Sequence, residues 1–492
     1  MTVSSVAAVE PVSLAAAQAR AARRLVALGP VADELGRLFA DDGHEIALVG
    51  GWVRDALLGR GSTQDDLDLA TSARPDETLA LLEGWADAVW TVGQAFGTIA
   101  ARKGSRTIEI TTYRAESYDP SSRKPDVAYG TSLAADLGRR DFTVNAMALT
   151  LPTPAFVDPF SGLEDLVAGV LRTPGTPTDS FSDDPLRMMR AARFAAQLDV
   201  TVDEPVVAAM TSMADRLGIV SSERVRDELT RLLLAPRPRL GLALMVRTGL
   251  ADQVLPELPA LRLEIDEHHR HKDVYEHSLT VLEQAIEAEH RVGTEGPDLT
   301  LRLAALLHDI GKPRTRAFQP GGGVSFHHHE VVGARMVRKR LTALRYPKDV
   351  VEDVARLTEL HLRFHGYGSG EWTDSAVRRY VRDAGPLLSR LHVLTRADST
   401  TRNRRKAAVL QRSYDDLERR ISELAEQEEL GALRPELDGN EIMKVLGIPP
   451  GPAVGRAYRY LLERRIEDGP VGPEAARETL LTWWADQQTS PA

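Results

Sequence analysis

Two short stretches decide the fold of the first part of the chain: LVGGWVRD at residues 48–55 and DDLDLAT at residues 65–71. In the second stretch apolar and acidic residues alternate, which predicts a β-strand whose side chains point in turn to opposite faces. Asp66 and Asp68 then face one side together, and the leucines pack on the other. Adjacent carboxylates repel each other, and hard cations such as Mg²⁺ relieve this repulsion through oxygen ligands. We therefore predict a metal site on this strand.

A third carboxylate has similar surroundings, because Glu109 lies between two isoleucines in another predicted strand. Three carboxylates on neighbouring strands can hold two metal ions for an in-line phosphoryl or nucleotidyl displacement. Gly50 and Gly51 separate a predicted strand from a predicted helix, where exposed N–H groups suit phosphate oxygens, and Arg54 adds a charged donor. Taken singly, the acidic motif is an ordinary solvated edge strand and the glycine pair an ordinary turn. Their combination favours a metal and phosphate site.

Hydrophobic periodicity divides the chain into a mixed α/β part and a helical part. Strand and helix patterns alternate over residues 44–165, with a hairpin over 97–114, and β signals nearly vanish beyond residue 166. The predicted fold class is α+β, a small mixed sheet with helices followed by a long all-α body. The predicted domains are a partly disordered or helical leader (1–30), a head (31–165), a helical neck (166–258), a histidine-bearing helical domain (259–400) and a helical tail (401–492).

Composition narrows the class of protein. The 492 residues are 43% hydrophobic and 27% charged, the ordinary range for folded soluble proteins. No apolar run approaches membrane-spanning length, and the N-terminus lacks the pattern of a secretory signal. The chain has no cysteine, which excludes disulfide partners and thiolate metal sites and makes the cytoplasm the expected compartment. The net charge of −10 argues weakly against broad electrostatic binding of nucleic acid, but it permits a local basic face.

The motifs together resemble a known family. LVGGWVRD, DDLDLAT and IEIT are similar to the polymerase-β-like nucleotidyltransferase superfamily. GRRDFTVNAMAL (138–149), DPFSGLEDL (158–166) and DDPLRMMRAARF (183–194) resemble the class II tRNA nucleotidyltransferases, the bacterial CCA-adding enzymes and their poly(A) polymerase relatives. The resemblance is dense over residues 44–260 and looser beyond.

The resemblance implies a role for each matching residue. Asp66 and Asp68 would bind the catalytic Mg²⁺ ions, with Glu109 assisting near the primer 3′-OH. The expected contacts to the triphosphate and sugar of the incoming nucleotide are Gly50, Gly51, Arg54, Arg140, Asp141 and Asn145.

The family reads the incoming base through a motif written E-D-x-x-R, which stands here at residues 183–187 with Asp in place of the leading Glu. Asp184 and Arg187 are retained. An acceptor and a donor in this arrangement can select C and A, since both bases present an amino group beside a ring nitrogen acceptor. Arg187, Arg190 and Arg193 recur along one side of a predicted helix, and all three are candidate nucleotide contacts. The alternative is an amphipathic helix with an exposed basic stripe.

A second set of motifs lies in the helical part and resembles the HD phosphohydrolase superfamily, whose members hydrolyse phosphate esters with metal-activated water. The set comprises VYEHSL (274–279), LLHDIGKP (306–313), FHHHEVVGA (326–334), TELHLRFH (358–365) and LTRADSTT (394–401). The resemblance implies one divalent metal (Mn, Ni, Fe or Mg) on His277, His308, Asp309 and Asp398, and His329 and His361 could add a second. Three interpretations remain: an active phosphatase or phosphodiesterase for 2′,3′-cyclic or 3′-terminal phosphates, a structural metal site, or a relic scaffold.

The segment at residues 437–469 is similar to the helical tail with which class II enzymes hold tRNA. We therefore expect template-independent addition of CCA to tRNA 3′ ends, with tRNA, CTP and ATP as partners and no membrane partner. The alternatives are a poly(A) polymerase, an A-only or CC-only enzyme, a phosphohydrolase with a vestigial head, and a non-catalytic RNA-binding protein. The sequence leaves the oligomeric state open.

Overall fold

The computed structural model describes residues 14–60, 66–114, 129–130, 132–262, 273–318, 324–366, 372–399, 404–428 and 434–489. The chain forms two compact units, Met1–Val254 and Leu255–Ala492. The division into five domains, which is finer than this, stays a prediction. In the described part of the chain, no helix is both long and apolar enough to cross a bilayer.

The first unit is built on a mixed seven-stranded sheet with the order β3-β4-β5-β2-β1-β6-β7. Its strands are β1 (Ile46–Val49), β2 (Leu67–Thr71), β3 (Ala88–Trp90), β4 (Thr98–Lys103), β5 (Arg106–Thr112), β6 (Ala148–Leu151) and β7 (Phe156–Val157). Strand β2 runs parallel to β5, and the other neighbouring pairs are antiparallel. The predicted mixed sheet and the predicted β4–β5 hairpin are confirmed.

Helices of the head cover this sheet: α1 (Leu14–Leu28), α2 (Pro30–Asp41), α3 (Gly51–Leu58), α4 (Pro75–Leu82), α5 (Leu133–Gly138) and α6 (Gly162–Ala168). Part of the core joins β1, β2 and β6 to α5 through Val49, Ala70, Ala148 and Leu137, all at most 1% exposed. The start of α3 follows β1 directly and therefore lies at a fixed place beside the centre of the sheet.

The neck is helical, as predicted, with α7 (Pro177–Asp183), α8 (Leu186–Leu198), α9 (Glu204–Met213), α10 (Ser222–Leu233), α11 (Pro238–Arg247) and α12 (Leu250–Val254). A short parallel pair, β8 (Val170–Leu171) and β9 (Thr201–Val202), is the β-structure that periodicity missed here. Helix α11 approaches α8 so closely that a Cβ on Gly241 would lie 2.4 Å from the carbonyl oxygen of Ala192. This contact fixes the helix that carries the three predicted nucleotide-binding arginines.

The second unit contains α13 (Val274–Ala288), α14 (Leu299–Leu307), α15 (Lys312–Thr315), α16 (His329–Ala343), α17 (Lys348–Leu360), α18 (Asp374–Ala384), α19 (Leu388–Asp398), α20 (Arg404–Glu428), α21 (Gly439–Leu446), α22 (Pro452–Asp468) and α23 (Pro473–Thr489). A two-stranded antiparallel pair, β10 (Ala317–Phe318) and β11 (Val324–Ser325), interrupts this helical body. Buried leucines of α13, α14 and α19 form the interior between the histidine motifs.

His392, on α19, makes the stability of this unit depend on pH. Its ring stacks on Tyr380 with 5.8 Å between centroids, and Nδ1 lies 3.6 Å from an oxygen of Glu418. Burial lowers the pKa of His392 from 6.5 to about 4; the Glu418 charge opposes this shift, and the charges of Arg396 and Arg291 support it. The folded state therefore binds this proton more weakly than the unfolded state does. The stability that depends on neutral His392 is complete above pH 6.5 and is lost as pH falls towards 4.

We predict that His392→Gln removes this acid sensitivity. Between pH 7 and pH 5 the free energy of unfolding of the second unit should fall by about 2 kcal/mol more in the wild type than in the variant. Urea titrations at the two pH values measure this difference, and His290→Gln, at an exposed histidine, is the matched control. Equal losses in the wild type and His392→Gln would contradict the prediction.

Candidate functional site

The parallel pairing of β2 with β5 brings the predicted carboxylates together. Asp68 is directly opposite Glu109 in the register of the two strands, and Asp66 immediately precedes β2. Leu67 and Leu69 are 1% and 2% exposed on the opposite face. The alternation of the sequence thus places all three carboxylates on one accessible face of the sheet.

These carboxylates carry unbalanced negative charge. The side chain of Asp68 is accessible to solvent, but neighbouring protein atoms partly desolvate its carboxylate and thereby raise its pKa; Arg140 counteracts this shift, and the charge of Asp66 adds to it. Burial also raises the pKa of Glu109, with further contributions from Asp68 and then Asp66. A cluster of hard oxygen donors whose members disfavour one another's ionisation fits a divalent cation, which would remove the repulsion.

The glycine pair forms a tight turn from β1 into α3. Gly50 has a φ of 69°, in the region that favours glycine, and a Cβ there would lie 2.9 Å from Nη1 of Arg140. Gly51 is the first residue of α3, so its N–H belongs to the free donors at the helix start. The turn and Arg140 together present donors that suit phosphate oxygens.

We predict that Gly50→Ala raises the KM for nucleoside triphosphate at least tenfold, because the new methyl group displaces Arg140 and strains the turn. Steady-state nucleotide incorporation measures the effect. Gly43→Ala is the matched control, since Gly43 has a φ of 82° but open space around its Cβ position. Equal KM values in the two variants would show that the Arg140 contact is unimportant.

A buried polar chain extends from α3 into the neck. Arg54, 5% exposed, donates from Nη1 to Oδ1 of Asn145 over 2.7 Å, and from Nε and Nη2 to the carboxylate of Asp55. Asn145 donates to Oδ1 of Asp141 over 2.9 Å, and Arg190 donates to the other oxygen from Nε over 2.7 Å. Burial disfavours ionised Asp141, but Arg190 and Asn145 hold its pKa below the usual value. Arg54 is thus positioned beneath the glycine turn by internal contacts.

The three arginines of α8 have different surroundings, so they do not form an exposed stripe. Arg187 donates to the side-chain and main-chain oxygens of Ser180 and to the carbonyl of Arg139. Arg190 contacts Asp141, whereas Arg193 is 7% exposed and donates to Glu228 over 2.6 Å. The burial of Arg193 favours a supporting role over direct nucleotide contact.

Helix α10 supplies two partners that the sequence analysis did not single out. Arg224 donates to Oδ2 of Asp184 over 2.8 Å, and Glu228 pairs with Arg193. Their spacing of four residues places both on one side of α10, and this is the signal that could have identified them. Asp184 and Arg187 are therefore each held by neighbours, Asp184 by Arg224 and Arg187 by Ser180.

In the second unit, four of the six predicted ligands are histidines that surround the carboxylate of a fifth, Asp309. Oδ1 of Asp309 lies 3.2 Å from Nε2 of His329 and 3.9 Å from Nε2 of His361. Oδ2 lies 3.3 Å from Nε2 of His308 and 3.7 Å from Nε2 of His277. Two groups of three, His277–His308–Asp309 and Asp309–His329–His361, are compact enough to hold a metal ion each. The sixth ligand, Asp398, completes the set, with Oδ1 at 2.9 Å from His277 Nε2.

The tautomers of three histidines suit metal binding. His308, His329 and His361 each direct Nδ1 to the carbonyl oxygen of the residue three positions earlier, at 2.9, 2.8 and 2.6 Å. Their buried Nε2 atoms have no hydrogen-bond partner among the described residues. Such hydrogen bonds from Nδ1 to a carbonyl oxygen orient an imidazole so that Nε2 offers its lone pair to a metal. The donor set fits a divalent cation.

Charges in the metal-free cluster partly balance. Burial disfavours the protonation of His308, but Asp309 raises its pKa to about 10. Burial also disfavours ionised Asp309, yet His308 and then Lys312, whose Nζ lies 2.6 Å away, hold the pKa of Asp309 well below its usual value. A bound cation would take the place of the His308 proton, so metal affinity should increase with pH.

Comparison with known proteins identifies the class. Three family models match: a poly A polymerase head domain at residues 46–172, a probable RNA and SrmB-binding site of polymerase A at 199–261, and an HD domain at 274–403. The fold, the three carboxylates of the head and the histidine–aspartate cluster of the second unit thus define a nucleotidyltransferase head of the poly(A) polymerase type joined to an HD domain. Both domain types are associated with divalent metals.

Several relatives match over most of their length. The chain is 36% identical to the A-adding tRNA nucleotidyltransferase of Deinococcus radiodurans, covering 89% of this chain and 95% of the relative. It is 34% identical to the CC-adding enzyme of Thermus thermophilus (88% and 93%) and 33% identical to the CCA-adding enzyme of Streptococcus thermophilus (87% and 90%). The chain belongs to the tRNA nucleotidyltransferase family and is an enzyme of this type.

Solved structures share the fold. The CCA-adding enzyme of Bacillus stearothermophilus in complex with CTP matches with a TM-score of 0.63 at 23% identity, covering 92% of this chain and 97% of that one. The Thermotoga maritima CCA-adding enzyme complexed with tRNA matches with a TM-score of 0.60 at 20% identity, covering 94% and 98%. The predicted architecture, a polymerase-type head followed by a helical body with an HD domain, is confirmed.

Proposed function

We propose that this enzyme adds C, C and A to the 3′ end of tRNA, using CTP and ATP as donors and Mg²⁺ as the catalytic metal. The observation that carries the proposal is the register of β2 and β5, which sets Asp68 opposite Glu109 on the accessible face of the sheet. The RNA 3′-hydroxyl attacks the α-phosphate, the bond to the β-phosphate breaks, and pyrophosphate leaves.

Each part of the head has a role in this reaction. Asp66, Asp68 and Glu109 hold the metal, and Glu109 orients the attacking hydroxyl. A divalent cation held there would supply a lowered pKa for this hydroxyl and positive charge to offset the charge that develops on the phosphate. The free N–H groups at the start of α3, beginning with that of Gly51, and the guanidinium of Arg140 hold the triphosphate, whereas the N–H of Gly50 donates to the carbonyl oxygen of Met147. The phosphate then stays in line with the hydroxyl without a template strand.

Selection of the base falls to the start of α8. Asp184 accepts a hydrogen bond from the exocyclic amine of C or A, and Arg187 donates to the neighbouring ring nitrogen. Because both side chains are already held in place, by Arg224 and Ser180, the site can reject U and G, which offer the opposite pattern. Arg190 and Asp141 connect this helix to the sugar and phosphate side of the site, with Asn145 and Arg193 supporting them.

The relatives differ in the nucleotides they add, and the experiment must separate these possibilities. Full-length tRNA that ends at the discriminator base is incubated with Mg²⁺ and each labelled nucleotide, singly and together. CTP alone should label the tRNA, and ATP alone should not. ATP should be incorporated only after CTP. Incorporation of ATP alone into this tRNA would overturn CCA addition, as would incorporation of CTP followed by failure to add A.

A second activity is favoured by the histidine tautomers of the HD cluster. We infer that a divalent metal (Mn²⁺, Ni²⁺, Fe²⁺ or Mg²⁺) binds through His277, His308, Asp309 and Asp398, with His329 and His361 available for a second ion. Such a site hydrolyses phosphate esters with metal-activated water, and 2′,3′-cyclic or 3′-terminal phosphates on RNA are the proposed substrates. Addition of water with cleavage of the P–O3′ bond would open a cyclic phosphate to a 2′-phosphate and a free 3′-hydroxyl, and hydrolysis of a 3′-terminal phosphate would release inorganic phosphate and leave the same hydroxyl, which the head requires. The helical tail is proposed to hold the tRNA, and the cytoplasm is the proposed compartment of the enzyme.

A further inference from the structure

A cavity in the second unit has no role in either proposed reaction. It has a volume of about 570 Å³ and lies between the segment after Val254, helix α15 and helix α16. This volume falls within the range of small-molecule pockets, about 300 to 1,000 Å³. None of its lining residues is a proposed ligand of the HD metals, although Ile310 follows Asp309 directly and Val332 lies one helical turn beyond His329.

The floor of the cavity is apolar. Ile310 is 1% exposed, and Pro313, Val332 and Met336 are half-buried with their side chains lining the space. Because Val332 and Met336 are four residues apart on α16, they form a continuous strip on one face of this helix. A flat apolar or aromatic group fits against such a strip.

Cations surround this floor. Four basic residues line the cavity: Arg314, Arg335, Lys339 and Arg340. Arg340 is neutralised, since its Nε lies 3.1 and 2.8 Å from the two carboxylate oxygens of Glu257. Within the described residues no carboxylate pairs with the other three, which are exposed. Their charge is therefore available to a ligand.

The arrangement of the cations is unfavourable unless an anion binds. Arg335 and Lys339 are separated by four residues on α16, a spacing at which like charges repel each other and destabilise a helix. On the same helix, Arg338 has a carboxylate partner in Glu352 at 2.9 Å. Arg335 and Lys339, which have no carboxylate partner among the described residues, both line the cavity, and Arg314 of α15 adds a third positive charge to the same space.

We propose that this cavity binds a nucleotide, with the base against the apolar strip and the phosphates on Arg314, Arg335 and Lys339. A half-open cavity with an apolar floor and cations at its edge suits one base and its phosphates. A strand of RNA is instead bound along an extended groove with successive stacking surfaces. This second nucleotide site shares no residue with the carboxylates or the glycine turn of the head, and it does not depend on hydrolysis by the HD cluster.

Photoaffinity labelling of the full-length protein tests the proposal. The probe is 8-azido-ATP labelled at the α-phosphate, in the presence of Mg²⁺, and labelled peptides are mapped. We expect one label in the head, as an internal control, and one within residues 310–340. Arg335→Gln/Lys339→Gln should reduce the second label at least tenfold at limiting probe and leave the head label unchanged. Arg412→Gln/Arg419→Gln, at exposed arginines of α20, removes the same charge and should retain both labels.

Met336→Trp provides an independent variant, because it fills the cavity without a change of charge, and melting curves verify that each variant is folded. Met336→Trp should also remove the label within residues 310–340. The proposal is overturned if residues 310–340 are not labelled in the wild type, or if their label survives both variants. It is also overturned if excess tRNA displaces this label while excess ATP does not, because the site then binds RNA.

Discussion

Asp68→Asn should reduce the turnover number for nucleotide incorporation about a thousandfold or more. The change removes one of three carboxylates that share the metal, and a loss of about 4 kcal/mol of transition-state stabilisation corresponds to this factor. The amide has nearly the same shape and the side chain is solvent-accessible, so the sheet should be unaffected. Single-turnover incorporation of labelled CTP into tRNA that lacks CCA measures the effect.

The thermal stability of Asp68→Asn should stay the same or increase, although its activity falls. The raised pKa of Asp68 means that the folded state binds this proton more tightly than the unfolded state does. The associated stabilisation is present at low pH and is lost as pH rises through the folded pKa, so ionised Asp68 destabilises the metal-free protein at neutral pH. Without divalent cations, Asp68→Asn should melt at the same temperature as the wild type or higher. Addition of Mg²⁺ should raise the melting temperature of the wild type more than that of the variant.

Asp76→Asn is the matched control for this prediction, because it removes an exposed carboxylate from the first turn of α4 in the same head. It should incorporate CTP at the wild-type rate. Activity within tenfold of the wild type in Asp68→Asn would contradict the metal assignment. A lower melting temperature together with lost activity would indicate instead that Asp68 supports the fold.

Asp309→Asn should remove bound divalent metal from the second unit and abolish phosphoester hydrolysis there. Asp309 faces four histidines, two through each oxygen, and an amide would replace one of these oxygens with a donor. Metal content of the purified full-length protein, measured by mass spectrometry, should fall at least tenfold. Hydrolysis of a 2′,3′-cyclic nucleotide should fall to background, while CTP incorporation by the head should stay within twofold of the wild type.

Asp349→Asn, at an exposed residue in the first turn of α17, is the control and should leave metal content unchanged. Retention of metal by Asp309→Asn would contradict the proposed ligand set. Metal loss with unchanged hydrolysis would show that the ion is structural. If Asp309→Asn is misfolded, His361→Ala tests the same cluster from its other side, since it removes one Nε2 ligand.

Local sequence patterns were sufficient to predict the strand and the turn that form the site in the head. Alternation around Asp66 and Asp68 predicted the strand and its accessible face, and Gly50 marked the turn into α3. The pairing of Asp68 with Glu109 involves residues 41 positions apart in the sequence, and periodicity alone cannot choose which strands are neighbours. The same alternation around Glu109 suggested that these carboxylates act together, and the family resemblance implied the same role.

The polar chain in the neck shows where sequence reasoning reached its limit. Arg54 and Arg193 are arginines on helices, and nothing local distinguishes a buried arginine from an exposed one. Their burial depends on Asn145 and Glu228, which are distant in sequence and become neighbours only when α3, α8 and α10 pack. Likewise, the resemblance to the HD superfamily implied the ligand set, but the sequence could not show which ring nitrogen is left to bind a metal, because this depends on the carbonyl one helical turn earlier.

The central claim is that the head adds C and A in order and then stops. The most direct test is to incubate wild-type protein with all four nucleoside triphosphates, Mg²⁺ and tRNA that ends at the discriminator base, and to sequence the 3′ ends of the products. The account predicts products that end in CCA, with U and G absent and no further addition. Products with long A tails, products that stop at CC, or tRNA that remains unmodified would each contradict it.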